Sequence, residues 1–481
     1  MQSNVKKNLT YQIAYRILTV FTPLITSPYL SRVLGAEALG KYSASYSYVN
    51  YFMLFAMLGI EKYGNRSIAR VQQNRNALEK EFWSIYAVQL TASVISILGY
   101  LAFVSFVVSD HLKVVYFLQG LWVISSLLDI NWFYFGCELF RVTVLRSSII
   151  KIISVISILL FVKSPDHLWV YILIMSGSMV LSQLVLWASL YKIISIRKPD
   201  FSSCRRHIAP IFKLFLPVLA ISVFHIMDKT MLNILSNDAN SGYYYNADKL
   251  VNIPLGIITA ISTVLLPKMA NTMQTKGSEA VIALLKKSSE LSMFLTCAIA
   301  FGIGSIAKTF VPIFFGPGYE TCISLIHWFI PVLIVKAFSN FSREQYLIPK
   351  GRDNLYILAV VSGAISNLIA NIVLIRKYAA LGAVLGTLIA EIVVLVVQII
   401  GVRKEVDFVR LFVAHAYYIF CALVMLTVVV SVEQYVDLNQ YLLLVLEILI
   451  GGLSFLILSI FYWILNKNSI FHGYCMRLFK V

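Results

Sequence analysis

Three titratable residues lie inside one long apolar stretch near the middle of the chain. Residues 213–236 read KLFLPVLAISVFHIMDKTMLNILS, which is enough to cross a bilayer as a helix of roughly 20 residues. At about 100° per residue, His225, Asp228 and Lys229 fall on one face of that helix. A charge at the bilayer centre costs at least ~2.5–3.5 kcal/mol, so such groups persist where they pair or face a wet cavity. The pattern indicates a polar site at membrane depth, on a helix that opens the second half of the chain.

Other ionisable residues also lie within or at the edges of long apolar runs. Lys336 and Glu391 lie well inside their runs, so each either lines a cavity or belongs to a structural ion pair. For Arg16, a side chain that extends to the membrane surface is the alternative. Cations outnumber clear anions in this set, and a cavity lined by them would attract a polyanion such as a diphosphate. The candidate cavity residues are Arg16, Asp129, His225, Asp228, Lys229, Asp248, Lys249, Lys308, Lys336, Arg343 and Glu391.

The composition identifies the elements that must position these residues. Only 13% of the 481 residues are charged and 59% are hydrophobic, whereas about a quarter of the residues of a soluble domain are charged. Long runs without alternation favour helices over a barrel, so we expect an all-α polytopic membrane protein without a cleavable signal peptide. About fourteen transmembrane helices are predicted, at 9–34, 42–60, 83–108, 114–135, 145–162, 169–191, 214–236, 247–266, 291–314, 323–348, 355–375, 381–402, 411–432 and 441–465.

A short repeated motif indicates two similar halves. Gly40-Lys-Tyr42 opens the second predicted helix and resembles Gly242-Tyr-Tyr244, which opens the eighth, at an offset of 242 − 40 = 202 residues. Six helices per half would keep the two repeats parallel about an axis along the membrane normal. We therefore expect pseudo-symmetric six-helix lobes over 1–205 and 206–405, followed by two additional helices and a cytoplasmic tail over 406–481.

Lysine and arginine are concentrated in alternate connections. The connections at 61–82, 192–213 and 267–290 hold five, six and four of them, whereas the connections on the opposite side hold at most two each. Because cytoplasmic loops are enriched in Lys and Arg, both termini are predicted to be cytoplasmic. The net charge of +17 is then a topology signal with lipid contact as a secondary effect, and no nucleic-acid partner is expected.

Asp129 begins the motif DINWFYFGCELFR. We expect Asp129 to pair with a cation and the aromatic residues 132–135 to form an interfacial belt. The sequence contains no phosphate-binding loop, HExxH motif or nucleophile elbow, and its six cysteines are scattered without a CxxC pair. A transporter is therefore predicted rather than an enzyme, with no metal or cofactor.

Several motifs along essentially the whole chain resemble Wzx-type polysaccharide repeat-unit flippases of the multidrug/oligosaccharidyl-lipid/polysaccharide exporter superfamily. These motifs are PYLSRVLG at 28–35 with Gly40-Lys-Tyr42, DINWFYFGCELF at 129–140, Asp228-Lys229, GYYYNA at 242–247, LPKM at 266–269 and GAVLGTLIAE at 382–391. The resemblance implies MATE-like lobes in a V shape with two extra helices. It also implies transfer of an undecaprenyl-diphosphate-linked oligosaccharide to the outer leaflet, for O-antigen, capsule or exopolysaccharide, by alternating access.

The resemblance further implies a bacterial inner membrane, membrane lipids as contacts, and a proton or sodium counter-ion. A polysaccharide polymerase and a chain-length regulator are the expected protein partners. A lipid II flippase and a multidrug exporter of the same fold are alternatives, although the exporter should have an acidic cavity. A membrane-embedded glycosyltransferase or polymerase would need a large outer loop with catalytic carboxylates, and the predicted outer loops are short.

Overall fold

The computed structural model describes residues 5–199, 201–275, 277–467 and 469–479, and no strand occurs in these ranges. Some helical side chains, including those of Arg16 and His225, lie outside the described part. The helices are α1 (Val5–Met57), α2 (Ile60–Val71), α3 (Arg75–Phe106), α4 (Lys113–Leu127), α5 (Asn131–Gly136), α6 (Phe140–Phe161), α7 (Leu168–Leu190), α8 (Phe201–Leu235), α9 (Asp238–Thr275), α10 (Gly277–Phe315), α11 (Glu320–Ser342), α12 (Asp353–Tyr378), α13 (Ala380–Val402), α14 (Phe408–Val413), α15 (Tyr417–Tyr435), α16 (Gln440–Leu465) and α17 (His472–Phe479).

Twelve helical segments in the described part of the chain are long and apolar enough to cross a membrane. The first, Ile17–Val71, contains the second predicted segment and most of the first. The predicted eighth segment lies in α9, where several side chains are not described. Large apolar side chains on these helices, such as Leu160 and Leu453, remain more than half exposed, as lipid-facing residues do. The all-α polytopic fold is confirmed, and the number of helices is close to the predicted fourteen.

A glycine divides the longest helix. Gly35 in α1 has φ +75°, which lies in the left-handed region that only glycine adopts without strain. The kink falls between the predicted first and second segments, so the chain continues from one to the other without a separate loop.

Several helices extend well beyond their apolar cores. The structure begins α3 at Arg75, α8 at Phe201 and α10 at Gly277, where the sequence predicted basic loops. Lys, Arg and Glu are good helix formers, so hydrophobicity marks only the part of a helix that lies in lipid. At the start of α3, Asn74 Oδ1 accepts a hydrogen bond from the Ala77 backbone N at 3.2 Å, which caps the helix outside the apolar run.

The chain forms two compact units. The first consists of Met1–Asn233 and Asn237–Gly242, and the second of Ile234–Ser236 and Tyr243–Val481. The sequence predicted boundaries at residue 205, between the two lobes, and at residue 405, before the two added helices. Both boundaries stay predictions.

Within the first unit, the two glycines of the repeated motif make a reciprocal backbone contact. A Cβ on Gly40 would lie 1.7 Å from the Asp238 carbonyl oxygen, and a Cβ on Gly242 would lie 1.9 Å from the Ala36 carbonyl oxygen. Residues 36 and 40 are related to 238 and 242 by the same offset of 202 residues. Only glycine permits such an approach, which gives a physical reason for the motif at both positions.

Candidate functional site

In the first unit, an asparagine connects Asp129 to a buried arginine. Asp129 Oδ1 accepts hydrogen bonds from the Asn131 backbone N at 2.8 Å and from Asn131 Nδ2 at 2.7 Å. Asn131 Oδ1 accepts one from Arg146 Nη2 at 2.9 Å. The expected direct ion pair of Asp129 is therefore replaced by an amide bridge, because the turn before α5 folds Asn131 back onto the carboxylate.

Arg146 also joins α6 to α7. Its Nη1 donates to the Ser182 carbonyl oxygen at 2.9 Å and to Gln183 Oε1 at 3.4 Å, and its Nη2 donates to Ser147 Oγ at 2.9 Å. The side chain is 8% exposed. A buried guanidinium held by several acceptors is costly to remove because each acceptor would lose its donor. Arg146 therefore stabilises the framework around Asp129.

Asp129 also lines a cavity of about 390 Å³ within the first unit. Helices α1, α2, α4, α7 and α8 contribute to its wall. The polar lining residues besides Asp129 are Asn50, Glu61, Lys62, Ser125, Ser126 and Ser222. Two carboxylates, one ammonium and several neutral donors and acceptors thus face one space. Among the eleven predicted cavity residues, Asp129 is the one that the described part of the structure places in this wall.

One face of α8 forms part of the same cavity. Val218, Ile221, Ser222 and Ile226 line it, and they recur at the spacing of one helical face. Lys229 lies seven residues after Ser222, which is about 20° short of two full turns. The lining face of α8 therefore continues along the helix toward Lys229.

Asp228 and Lys229 occupy a closely packed part of α8. Asp228 is 6% exposed and Lys229 is half-buried, and both have partners among neighbouring groups. Near Asp228, Thr230 Oγ1 donates a hydrogen bond to the Tyr51 hydroxyl at 3.4 Å. The structure brings these residues into the polar interior of the first unit, while the side chain of His225 lies outside the described part.

The aromatic residues after Asp129 form a buried core. Trp132, Phe133 and Tyr134 are 0% exposed. Trp132 Nε1 donates to Gln89 Oε1 at 2.9 Å, and the Tyr134 hydroxyl donates to the Leu186 carbonyl oxygen at 2.7 Å. The predicted interfacial belt is therefore wrong, because both polar tips bind protein groups and the rings pack between helices.

In the second unit, another asparagine connects an aspartate to a cation. Asn252 Nδ2 donates to Asp248 Oδ1 at 2.5 Å, and Asn252 Oδ1 accepts from Lys336 Nζ at 3.5 Å. Lys336 is half-buried, and this long contact is the one polar contact of its ammonium among the described residues. Lys249, next to Asp248, places its ammonium 5.4 Å from the centre of the Tyr245 ring. The predicted Asp248, Lys249 and Lys336 thus lie in one region.

Helix α11 also connects this region to Glu391. Ser339 lies three residues after Lys336, and its hydroxyl donates to Glu391 Oε2 at 3.1 Å. Glu391 is 4% exposed and lies on α13. Because positions i and i+3 are neighbours on a helix, Lys336 and the group that binds Glu391 share one side of α11.

Lys308 and Arg343 have carboxylate partners. Lys308 Nζ lies 2.5 Å from Glu433 Oε1, and Arg343 Nη2 lies 2.9 Å from Glu344 Oε1. The Arg343 guanidinium also lies 5.4 Å from the centre of the Tyr356 ring. With these partners, Lys308 and Arg343 no longer count toward the predicted surplus of unpaired cations. That either of them lines a cavity stays a prediction.

Sequence reasoning missed several charged residues that the structure buries fully or partly in the membrane-spanning helices. Lys151 on α6 contacts the Tyr15 ring at 5.6 Å from its centre, and Arg146, Glu290 and Glu447 are at least nine-tenths buried. Arg146, Lys151 and Glu447 lie inside predicted segments, so the rule applied to Lys336 would have found them.

Residues 5–273, more than half of the chain, match the family described as polysaccharide biosynthesis protein. The chain belongs to this family. The match includes all but the first four residues of the first unit, and the motifs from residue 28 to residue 269. The predicted resemblance to polysaccharide flippases is confirmed.

Curated relatives extend the likeness of this polysaccharide biosynthesis protein beyond the matched region. A protein named as an O-antigen transporter of Escherichia coli (strain K12) is 21% identical over 408 residues, which cover 84% of this chain and 97% of that protein. The lipid II flippase MurJ of Bacillus subtilis (strain 168) is 23% identical over 203 residues, covering 40% of this chain and 37% of that protein. The curated relatives are thus named as transporters and flippases.

Solved structures show the same fold. A lipid II flippase MurJ in an inward closed conformation has a TM-score of 0.68 at 18% identity, covering 95% of this chain and 98% of that one. An inward-facing multidrug resistance MATE family transporter of the MOP superfamily has a TM-score of 0.61 at 12% identity, covering 83% and 95%. This family member therefore has the fold shared by those two transporters.

Proposed function

We propose that this protein transfers an oligosaccharide linked to undecaprenyl diphosphate from the cytoplasmic to the outer leaflet of a bacterial cell membrane. The observation that carries the proposal is the match to proteins named as O-antigen transporters, over 97% and 100% of their length. The family match supports a role in polysaccharide biosynthesis. The transferred units would serve O-antigen, capsule or exopolysaccharide assembly.

The charged residues supply chemistry that suits the proposed head group. Among the described residues, Lys336 makes one long hydrogen bond, to a neutral amide, so its ammonium could move to a phosphate oxygen without breaking an ion pair. Charge-assisted hydrogen bonds are roughly twice as strong as neutral ones. We assign Lys336 the first contact with the diphosphate and Lys229 and Arg16 supporting contacts. The hydroxyl, amide and carboxylate groups of the first-unit cavity are of the kinds that bind sugar hydroxyls.

Transfer is proposed to proceed by alternating access, coupled to a proton or sodium gradient. The lipid tail would remain in the bilayer while the head group crosses. Both termini are placed in the cytoplasm because Lys and Arg are concentrated on that side of the predicted topology. Reporter fusions at residue 481 and in the connection between α15 and α16 should report opposite sides of the membrane and would test this orientation.

Reconstitution of the full chain in lipid vesicles tests the transport class. The substrate panel should contain an undecaprenyl-diphosphate-linked oligosaccharide, lipid II and an organic cation. We expect the oligosaccharide to be transferred at least several-fold faster than in protein-free vesicles, and faster than the other two. Preference for lipid II would reassign the protein as a lipid II flippase, and transfer of the organic cation alone would reassign it as a multidrug exporter.

Deletion of the gene in its own host provides the cellular test. We expect surface polysaccharide to disappear and its lipid-linked repeat unit to accumulate, with both effects reversed by the wild-type gene. Co-purification with a polysaccharide polymerase and a chain-length regulator would test the proposed partners. Normal surface polysaccharide in the deletion strain would contradict the proposed role.

A further inference from the structure

Glu447 is a carboxyl group buried where α16 packs on α10. It lies seven residues after Gln440, at which α16 begins, and so about 10 Å into the helix. The side chain is 1% exposed. Its Oε1 accepts a hydrogen bond from Thr309 Oγ1 at 2.8 Å. Its Oε2 is buried and has no hydrogen-bond partner within the described ranges. The group therefore has one oxygen satisfied and one without a partner.

The charged groups around Glu447 cannot neutralise an ionised Glu447 in addition to the carboxylate that is already present there. Helix α10 presents Lys308 to it, and α15 presents Glu433. Lys308 is already bound to Glu433 at 2.5 Å. An ionised Glu447 would therefore place an anionic oxygen without a donor beside a second carboxylate. Burying an unpaired charge costs several kcal/mol, whereas a neutral carboxylic acid avoids most of that cost.

Glu290 offers a comparison because it is also buried in the second unit, at 3% exposure. Its Oε1 accepts from the Tyr418 hydroxyl at 3.0 Å and from Ser469 Oγ at 2.6 Å, and its Oε2 accepts from the Ile470 backbone N at 2.9 Å. Three donors distributed over both oxygens suit an ionised carboxylate. Glu290 and Glu447 are thus similarly buried but differ in the number of hydrogen-bond donors that their carboxyl oxygens receive.

We propose that Glu447 is a proton-binding site, with the proton held on Oε2 at neutral pH, at the contact between α16 and α10. Binding forms an O–H bond between Oε2 and a proton from water, and release returns the proton to water while the bonding electrons remain on Oε2. The inference goes beyond the proposed transport and does not depend on the transported lipid. Proton occupancy at Glu447 sets whether the contact between the two helices carries an uncompensated charge.

Infrared spectroscopy of the full chain in lipid vesicles tests the proposal directly. At neutral pH, the difference between wild type and Glu447→Gln should contain the C=O band of a protonated carboxyl group. The matched difference between wild type and Glu290→Gln should contain carboxylate bands instead. A wild-type minus Glu447→Gln spectrum with carboxylate bands only would overturn the proposal.

Thr309→Val gives a second test if Glu447→Gln does not fold. Removal of the hydroxyl takes away the hydrogen bond to Oε1, so the protonated C=O band should move to higher frequency. A spectrum without any change in that band would overturn the assignment to Glu447.

The pH dependence of the thermal unfolding midpoint gives a further test, because proton binding at Glu447 predicts the direction of its change. In the unfolded chain Glu447 would ionise near its ordinary value of about 4.3, whereas the folded chain holds the proton. Folding therefore takes up a proton, and stability falls as the pH rises from about 5 to about 8. We expect the midpoint of wild type to decrease over this range relative to that of Glu447→Gln, and a constant difference would contradict proton binding.

Discussion

Both units contain an asparagine between an aspartate and a cation, but the two bridges differ in length. In the first unit, Asn131 lies 2.7 Å from the Asp129 carboxylate and 2.9 Å from the Arg146 guanidinium. In the second unit, Asn252 lies 2.5 Å from the Asp248 carboxylate but 3.5 Å from the ammonium of Lys336. We refer to these as the tight bridge and the long bridge.

The difference separates a structural cation from an available one. A primary amide donates to a carboxylate and accepts from a cation at the same time, so it links opposite charges that do not touch. In the tight bridge, Arg146 has further acceptors on two neighbouring residues of α7. In the long bridge, the described surroundings of Lys336 offer its ammonium one distant acceptor. The tight bridge therefore stabilises a fold, and the long bridge leaves a cation that a ligand could bind.

The largest expected effect is on the tight bridge. Arg146→Met removes the donor to Asn131 and to the acceptors on α7, so we expect it to lower the free energy of unfolding by about 3 kcal/mol. Thermal unfolding of the full chain in detergent measures the change. Arg197→Met, at an exposed position, is the matched control and should have almost no effect. A loss below about 1 kcal/mol for Arg146→Met would contradict a structural role.

Equivalent substitutions in the two asparagines compare the bridges directly. Asn131→Leu should lower the free energy of unfolding by about 2 kcal/mol, because two charged groups lose their hydrogen-bond partner. Asn252→Leu should cost about 1 kcal/mol less than Asn131→Leu, because it loses the short hydrogen bond to Asp248 but only a long contact with Lys336. Both variants are measured by the same unfolding assay. Equal losses would show that the distance to the cation does not distinguish the two regions.

Substitution of Lys336 should affect transport rather than stability. Lys336→Met removes the proposed diphosphate contact, and we expect transfer to slow by about tenfold, equivalent to about 1.4 kcal/mol in the barrier. Lys336→Arg should restore part of the rate because the charge is retained. Lys377→Met, at an exposed position on α12, is the control in the same vesicles. A normal rate for Lys336→Met would remove this residue from the proposed substrate site.

Direct ion pairs outside the spanning segments should contribute least. Hydrogen bonds from Lys350 and then Tyr346 lower the pKa of Glu405 from 4.5 to about 2, and Arg352 also binds this carboxylate. Because the pKa is lower in the folded chain, the stabilisation is present above pH 4.5 and is lost as the pH falls toward 2. Since the group is partly exposed, we expect less than about 1 kcal/mol.

The comparison of wild type with Glu405→Gln isolates that contribution. The difference between their thermal midpoints should shrink as the pH is lowered from neutral toward the acid range. If it grows instead, the surface pairs do not stabilise the folded chain.

The sequence predicted the helices well because burial in lipid leaves a continuous apolar signal along the chain. The break at Gly35 was visible for the same reason. The bridges were not predictable, because Asn131 and Arg146 are 15 residues apart and Asn252 and Lys336 are 84 residues apart. Such contacts depend on which face of each helix packs against its neighbour, and the apolar run in the sequence does not determine that face.

The charged candidates show the same limit. The depth of Lys336 and Glu391 in the membrane could be predicted from their apolar runs. The carboxylate partner of Lys308 could not, because Glu433 lies 125 residues further along the chain, on another helix. Trp132 and Tyr134 illustrate a second limit, since the same residue types serve a lipid interface and a packed interior. Only their hydrogen-bond partners distinguish the two.

The reciprocal contact of Gly40 and Gly242 restricts how the two backbone segments can move. A shift of about 1.5 Å along either helix would move Gly40 or Gly242 away from the carbonyl group that it faces and bring the Cβ-bearing residues of the neighbouring turn closer to it. This close approach therefore fixes the axial register of the two segments. Any transport cycle that moves these segments must keep this register and cannot slide one past the other.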